Sequence, residues 1–550
     1  MRAHSKTAAQ PLNNRLGESS TRLKRLRPVA GLLLGGVLMG LAPVNAWPLA
    51  WIALIPLWGL LHRPQLSTRS AILPGRGSAI AGAAIWGIAY HGTALSWIVW
   101  WLKPLLWMGL PWIGGVAIAF FAWAFITLWG AAIGATWMAL MLAVNRWQPV
   151  TGWRQVLLGT ALWCAVECVW SKCLLYWSSL SYTQSPYNLV GLQLAQLAGP
   201  ITITAGIVAV NGLLAEAIWK SEWKTFLRPA NAFLWSVILF FSLHLVGFGL
   251  YVRPLVNAPE QALTVGLIQG NIPTNEKLTA GGLQESRQVY LDGYESLVNQ
   301  GAELVITPEG SISQTWNSFT QDRDLFMRAV VKNGVPLLLG TFAHVDIEKN
   351  QGPLTQSLLM LSPEEKVVGR YNKIKLVPLG EYIPFEKAMR AIMGPLLPWA
   401  SLAPGGFSQQ LTTPFGPVAA GICYESAFTS IFRQQVNRGG ELIFTASNND
   451  PYPARQMMQH HAQDVMRAIE NDRWEVRVTN TGISGVVDPR GRSLWISEAG
   501  DRVTHQPTVY RRNSRTPYVC AGDWLTPLLL LSALTECLFR RIAHSKEQML

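Results

Sequence analysis

The chain has 550 residues, of which 50% are hydrophobic, only 14% are charged and 25 are tryptophan. This balance argues against an ordinary soluble protein and indicates membrane segments, because aromatic side chains collect at the lipid–water boundary. The net charge of +13 would suit nucleic-acid binding, but the basic residues lie in the N-terminal tail and in short loops between apolar runs. That distribution is typical of membrane topology, so we predict no nucleic-acid partner.

Apolar runs of roughly 20 residues are long enough to cross a bilayer. They occur at residues 28–44, 47–62, 77–100, 112–144, 154–176, 194–218, 231–252 and 522–540. The fourth run is too long for one perpendicular crossing, so it is tilted, kinked or partly interfacial. The first run also fits a signal peptide cleaved after Ala46, but we favour a retained span because the next apolar run follows at once.

Basic residues set the predicted orientation of these spans. The N-terminal tail and alternate loops carry lysine and arginine, whereas the intervening loops are nearly free of both. Because positively charged loops stay in the cytoplasm, seven crossings place residues 253–520 in the periplasm of a bacterium with an outer membrane. The predicted units are a basic cytoplasmic tail at 1–27, a membrane region at 28–252, a periplasmic domain at 253–520, and a last span with a short cytoplasmic tail at 521–550.

Residues 258–510 have a different pattern, in which short β-rich runs alternate with polar helical stretches. Predicted strands include ALTVGLIQGNI, ELVITPEG, VPLLLGTFAHV, GPVAAGICYES and ELIFTASN, and predicted helices include ESRQVYLDGYESLVNQGA and ARQMMQHHAQDVMRAIENDR. Strand–helix alternation predicts a layered α/β domain, and adjacent strand runs without a helix between them predict local hairpins.

The cysteines and histidines do not predict a metal site or a disulfide framework. Three of the cysteines lie in one apolar run, one lies in another, and no C-x-x-C or zinc-type Cys/His spacing occurs. His460 and His461 are adjacent on a predicted helix, so they face different ways, and no carboxylate stands at the needed offset. We therefore predict no metal and no cofactor.

Three predicted strands carry groups that could act together in catalysis. Glu309 follows LVITP, Lys373 lies within GRYNKIKLVPLGE, and Cys423 follows VAAGI. Loops at strand ends are where α/β sheets place ligand sites. A carboxylate can take the thiol proton, and an ammonium can stabilise an oxyanion, so the set suffices for acyl transfer. Taken singly, each residue also fits an ordinary structural role, as a buried cysteine, a turn glutamate or a surface lysine.

The motifs around these residues are PEG with Glu309, YNKIKLVPLGEYIPFE with Lys373 and Glu381, and GICYES with Cys423. QGNI, TASNND and TNTGISGVVDPRG accompany them. Together they resemble the nitrilase superfamily and, within it, the bacterial apolipoprotein N-acyltransferase family. The resemblance covers nearly the whole chain and implies a polytopic α-helical membrane region plus an extracytoplasmic nitrilase-like domain with α-β-β-α layers.

Carried over by position, the resemblance implies residue roles. Glu309 would be the general base, Lys373 the oxyanion stabiliser and Cys423 the nucleophile. Residues expected to support Lys373 and the substrate pocket are Glu381, Tyr424 and Glu425.

The implied reaction is acyl transfer through a thioester. The donor would be a membrane phospholipid, the acceptor the α-amine of a diacylglyceryl-cysteine on an apolipoprotein, and the enzyme a monomer in the bacterial inner membrane. Two alternatives stay open at this point. One is a membrane-bound nitrilase-type amidase that hydrolyses a carbon–nitrogen bond, and the other is a non-catalytic receptor or transporter with a ligand-binding outer domain.

Overall fold

The computed structural model describes residues 27–549 except 63–75, 108, 110, 174, 221–230, 318–319, 394–400 and 451. The basic tail predicted at 1–27 therefore lies outside the described residues, apart from Arg27. The lysines and arginines of the segments 63–75 and 221–230, on which part of the predicted orientation rests, lie outside them as well.

The N-terminal region is helical, as its apolar runs predict. Its helices are α1 Arg27–Leu41, α2 Ile55–His62, α3 Arg76–Ala94, α4 Leu102–Trp107, α5 Trp112–Trp147, α6 Trp153–Trp170, α7 Leu189–Leu192, α8 Ala195–Ala198, α9 Ile201–Trp219 and α10 Ala232–Tyr251. Within the described part of the chain, α5, α9 and α10 are long and apolar enough to cross a membrane. Helix α5 has 36 residues, which is about 54 Å at ~1.5 Å per residue and longer than the hydrocarbon core of a bilayer.

Two of the apolar runs are not continuous α-helices. In the run at 47–62, a 3₁₀ segment at Trp47–Trp51 precedes α2. Pro48 and Pro56 lie in the first turns of these two segments, where a missing N–H is tolerated, and they divide the run. In the run at 77–100, α3 ends at Ala94 and a second 3₁₀ segment follows.

The second region contains two β-sheets and their helices. The strands are β1 Ala262–Gln269, β2 Leu304–Ile306, β3 Thr315–Trp316, β4 Leu337–Asp346, β5 Gln351–Ser362, β6 Lys366–Asn372, β7 Leu411–Thr413, β8 Gly416–Ile422, β9 Ile443–Ser447, β10 Glu475–Thr479, β11 Gly485–Val487, β12 Ser493–Ile496, β13 Val503–His505 and β14 Thr508–Tyr510. The helices are α11 Thr274–Lys277, α12 Ala280–Asn299, α13 Gln321–Asn333, α14 Glu386–Met393, α15 Thr429–Asn437, α16 Ala454–Asn471 and α17 Pro517–Ala521, and α18 Leu525–Met549 closes the described chain.

Both sheets combine a parallel centre with antiparallel edges. The first has the order β13-β1-β2-β4-β5-β6, with β14 beside β1 and β3 beside β4. The second has the order β12-β11-β10-β9-β8-β7. The triplets β1-β2-β4 and β8-β9-β10 run parallel, whereas β4-β5-β6 and β10-β11-β12 are antiparallel. The hairpins predicted from adjacent strand runs correspond to these antiparallel strands at the sheet edges.

The two sheets pack face to face between layers of helices. Their shared core contains Val265, Leu338, Leu358, Ala420, Ile443 and Val476. Helices α12 and α13 cover the outer face of the first sheet, and α15 and α16 contact the second. This confirms the predicted α-β-β-α layering. Helix α16 also packs into the core of the N-terminal helices through Val465, Met466 and Ile469, so it lies between the second sheet and the helical region.

Candidate active site

The three residues predicted as base, cation and nucleophile all follow strands. Glu309 lies shortly after β2, Lys373 directly after β6, and Cys423 directly after β8, where a 3₁₀ turn at Cys423–Ala427 begins. Strands β2 and β6 belong to the first sheet and β8 belongs to the second. The site is therefore formed where the strand ends of the two facing sheets meet.

Lys373 is completely buried between two carboxylates. Its Nζ lies 2.7 Å from Oε1 of Glu309 and 2.5 Å from Oε1 of Glu381. Burial acts to lower the pKa of Lys373, but the two carboxylates outweigh it and hold that pKa well above its ordinary value. Burial also raises the pKa of Glu381, against the effect of Lys373. Lys373 therefore stays protonated at neutral pH, and the site contains a buried positive charge.

One residue of the loop after β9 connects the carboxylate and the thiol. The backbone N–H of Asn448 donates to Oε2 of Glu309 at 2.8 Å, and its carbonyl oxygen lies 4.0 Å from Sγ of Cys423. Gly340 of β4 permits this position of Glu309, because a Cβ there would lie 1.9 Å from the carbonyl oxygen of Pro308. The sequence motif TASNND includes Asn448, but its contacts with both groups emerge only from the fold.

The thiol of Cys423 is not ionised by its surroundings. Burial raises its pKa, the Glu309 carboxylate raises it further, and the Lys373 ammonium acts in the opposite direction without compensating. At rest, Cys423 is therefore a thiol. An attack by sulfur requires a base that removes its proton, and Glu309 is the carboxylate whose charge acts on it most strongly.

His460 forms a hydrogen bond with the backbone of Cys423. From the sequence alone, this histidine is considered only as a metal ligand, and that role is rejected. The φ angle of Cys423 is 52°, a left-handed conformation that non-glycine residues adopt at a cost. Nε2 of His460 donates to the Cys423 carbonyl oxygen at 2.8 Å, and Nδ1 accepts from Arg477 at 2.8 Å and from Asn449 at 3.0 Å. Burial lowers the pKa of His460 to about 3 and Arg477 lowers it too, so the ring is neutral and stabilises the turn.

Glu425 connects the two strand ends that carry Lys373 and Cys423. It is completely buried; its Oε1 accepts from the N–H of Ile374 at 2.6 Å and its Oε2 from the N–H of Ile422 at 2.7 Å. Burial raises the pKa of Glu425 to about 7, and these backbone donors oppose the increase. The side chain thus holds the backbone next to Lys373 and next to Cys423.

Tyr424 faces the helical region. Its hydroxyl accepts from the N–H of Tyr176 at 3.0 Å and donates to the carbonyl oxygen of that residue at 3.2 Å. Its ring stacks on Trp177 with a centroid distance of 6.2 Å and an interplanar angle of 8°. Trp177 in turn donates to Gln459 of α16 at 3.0 Å. Tyr424 therefore joins the cysteine turn to the loop that follows α6.

The described residues contain no group of three or more histidine, cysteine, aspartate or glutamate side chains arranged to hold a metal ion. The site brings together a carboxylate, an ammonium and a thiol, each held by backbone or side-chain contacts from another element.

Comparisons with known proteins cover both regions of the chain. The family model for the apolipoprotein N-acyltransferase N-terminal domain matches residues 31–213, and the carbon–nitrogen hydrolase model matches residues 264–508. Among relatives, the apolipoprotein N-acyltransferase of a Nostoc species is 44% identical over 90% of this chain and 95% of its own length. The apolipoprotein N-acyltransferase of a Synechocystis species is 39% identical over 91% and 98%, and that of Thermosynechococcus vestitus is 41% identical over 91% and 92%.

Proposed function

The chain belongs to the apolipoprotein N-acyltransferase family, and we propose that Cys423, Glu309 and Lys373 carry its reaction. A fatty acyl chain is transferred from a membrane phospholipid to the N-terminal α-amino group of a diacylglyceryl-cysteine on an apolipoprotein. The observation that carries the assignment of roles is the buried ion triad, in which Lys373 contacts Glu309 and Glu381 and all three charges act on the thiol of Cys423. All three reacting groups come from one chain, so a monomer suffices.

The first half-reaction acylates the cysteine. Glu309 takes the thiol proton, and the sulfur of Cys423 attacks the ester carbonyl carbon of the phospholipid. The Lys373 ammonium stabilises the negative charge that develops on the carbonyl oxygen. The carbon–oxygen bond of the ester then breaks, Glu309 returns the proton to the leaving oxygen, and a thioester and a lysophospholipid are formed.

The second half-reaction transfers the acyl chain. The neutral α-amine of the acceptor attacks the thioester carbonyl carbon, and Lys373 again stabilises the oxyanion. Glu309 takes a proton from the attacking nitrogen and delivers it to the departing sulfur of Cys423. An amide forms and the thiol is regenerated, so donor and acceptor use one site in turn.

The protein is a membrane enzyme, and we propose that it spans the inner membrane several times with the catalytic region on the periplasmic side. Three long apolar helices support the crossings, and the distribution of basic residues supports the orientation. The exposed Cys520 of α17 offers a test. A membrane-impermeant maleimide added to spheroplasts is expected to label the wild type, with a clear loss of label in Cys520→Ala. Labelling of Cys520 only after permeabilisation would place the region inside.

The nucleophile is tested by trapping the acyl-enzyme. Membranes that contain the protein are incubated with a phospholipid radiolabelled in its acyl chain, and the denatured protein is then treated with hydroxylamine, which cleaves thioesters. We expect a hydroxylamine-labile label on the wild type and none on Cys423→Ala, because alanine lacks the sulfur that forms the thioester.

The matched control is Cys520→Ala, which removes an exposed thiol far along the chain from the site and should keep the label. Addition of a diacylated lipopeptide should then discharge the label onto its α-amine. Retention of label by Cys423→Ala would refute the assignment, and discharge to water with an unreacted peptide would favour the amidase alternative.

A further inference from the structure

Lys277 is a buried lysine that the mechanism above does not use. It is the last residue of α11, and only 4% of its surface is exposed. Among the residues that the structure describes, its ammonium has neither a hydrogen-bond acceptor nor a carboxylate oxygen within 4.0 Å. Burial of a side chain disfavours an unpaired charge on it, so an anion from outside the described residues would stabilise this ammonium.

The backbone around Lys277 is tied to the catalytic loops. The N–H of Thr274 donates to Asp450 at 2.7 Å, and the Thr274 hydroxyl accepts from the side chain of Asn448 at 2.9 Å. The hydroxyl of Ser313 donates to the Lys277 carbonyl oxygen at 2.9 Å. Since Asn448 also donates to the proposed base and lies near the proposed nucleophile, α11 is held against the loop that contacts both groups.

The carboxylates near that site affect the pKa of Lys277. Burial lowers its pKa to about 8, and the charges of Glu309 and Asp450 act in the opposite direction. The protonated form therefore predominates at neutral pH. Both carboxylates therefore lie beyond the 4.0 Å limit of an ion pair, but they are close enough for their charges to act on the ammonium.

The charges of the site and of the two substrates indicate which substrate group Lys277 would bind. Within the ion cluster around Lys373, the carboxylates of Glu309 and Glu381 exceed the ammonium by one negative charge. This excess suits a cationic amine, but it repels a phosphate. Of the two substrates, the phospholipid brings an anionic phosphodiester close to its ester, whereas the diacylglyceryl-cysteine acceptor brings an amine.

We propose that the Lys277 ammonium binds the phosphodiester of the phospholipid acyl donor. This inference rests on the proposed function and adds a headgroup subsite to it. Lys277 binds the phosphate in the first half-reaction. It has no phosphate to bind in the second, after the lysophospholipid has left.

The test compares two donors in one variant. Lys277→Met keeps the length of the side chain and removes its charge. The probes are a phospholipid and a diacylglycerol with the same acyl chains, which carries the same esters without a phosphate. We expect Lys277→Met to slow acylation by the phospholipid about tenfold or more, because a hydrogen bond to a charged group is lost. Acylation by the diacylglycerol and transfer from preformed acyl-enzyme to lipopeptide should stay at wild-type rates.

Lys332→Met is the matched control, since Lys332 is an exposed lysine of α13 and should leave the ratio of the two donor rates unchanged. If Lys277→Met accumulates poorly, Lys277→Gln provides the same ratio. An equal reduction for both donors, or no reduction for either, would overturn the subsite. Failure of the proposed function is a separate result, namely a wild-type protein that forms no thioester on Cys423 with either donor.

Discussion

Replacing Glu309 by glutamine is expected to slow acylation of Cys423 strongly while the protein stays folded. Glutamine has the same size, and its oxygen can still accept a hydrogen bond, but it cannot take up a proton at neutral pH. Because burial raises the pKa of Cys423, the sulfur would stay protonated at neutral pH without this base. General-base catalysis contributes about 10²- to 10⁴-fold, so a loss of that size is expected in the rate of hydroxylamine-labile labelling.

The exposed glutamate Glu295 of α12 gives the control, as Glu295→Gln should label at the wild-type rate. A second measurement separates a lost base from a distorted site. The labelling rate of Glu309→Gln should rise as the pH is increased towards the pKa of the thiol, since the thiolate then forms without a base. Wild-type labelling by Glu309→Gln at neutral pH would mean that another group deprotonates Cys423.

The positions of Glu309, Lys373 and Cys423 could be predicted because each one follows a strand. Buried strands such as LVITP and VAAGI are recognisable from apolar residues alone, and parallel strands bring their ends to one edge of a sheet. Glu309 and Lys373 are separated by 64 residues in the chain, yet their charged atoms lie 2.7 Å apart. The motif resemblance assigned the partners, and the strand pattern explains why they meet.

Other parts of the site depend on contacts that no local pattern reveals. Lys277 lies in the polar stretch TNEK, which fits an exposed turn, yet its side chain is buried. Helix α11 is held in place by Asp450 and Asn448, which lie 176 and 174 positions from Thr274 in the chain. The backbone role of His460 depends on the left-handed turn at Cys423 and on Arg477, which lies on another strand. The run at 47–62 was apolar enough for a span, but its two prolines determined where the helical segments begin.

Removing the charge of Lys373 should impair both catalysis and stability. In Lys373→Met the carboxylates of Glu309 and Glu381 lose their shared cation in a site that is almost closed to water. Breaking a buried ion pair in this way costs about 3–5 kcal/mol in the free energy of unfolding. Loss of the oxyanion partner should also reduce the labelling rate by about 10²- to 10³-fold.

The pH dependence of that destabilisation has a definite sign. Two neighbouring carboxylates without a cation resist ionisation, so the pKa of at least one of them rises in the folded variant above its unfolded value. The folded variant then binds more protons than the unfolded chain, and its stability falls as the pH rises through the raised pKa. Unfolding of Lys373→Met in detergent should therefore show a larger deficit relative to the wild type at about pH 8 than at about pH 5.5.

The double variant Lys373→Met with Glu381→Gln distinguishes charge repulsion from lost packing. It removes one of the two opposed carboxylates, so it should regain part of the stability lost in Lys373→Met and show a weaker pH dependence, yet stay inactive. Lys332→Met, which breaks an exposed ion pair with Glu295, should change neither property. If the double variant were less stable than Lys373→Met, lost packing would outweigh repulsion. Repulsion between the two carboxylates would then not be the main cause of the stability lost in Lys373→Met.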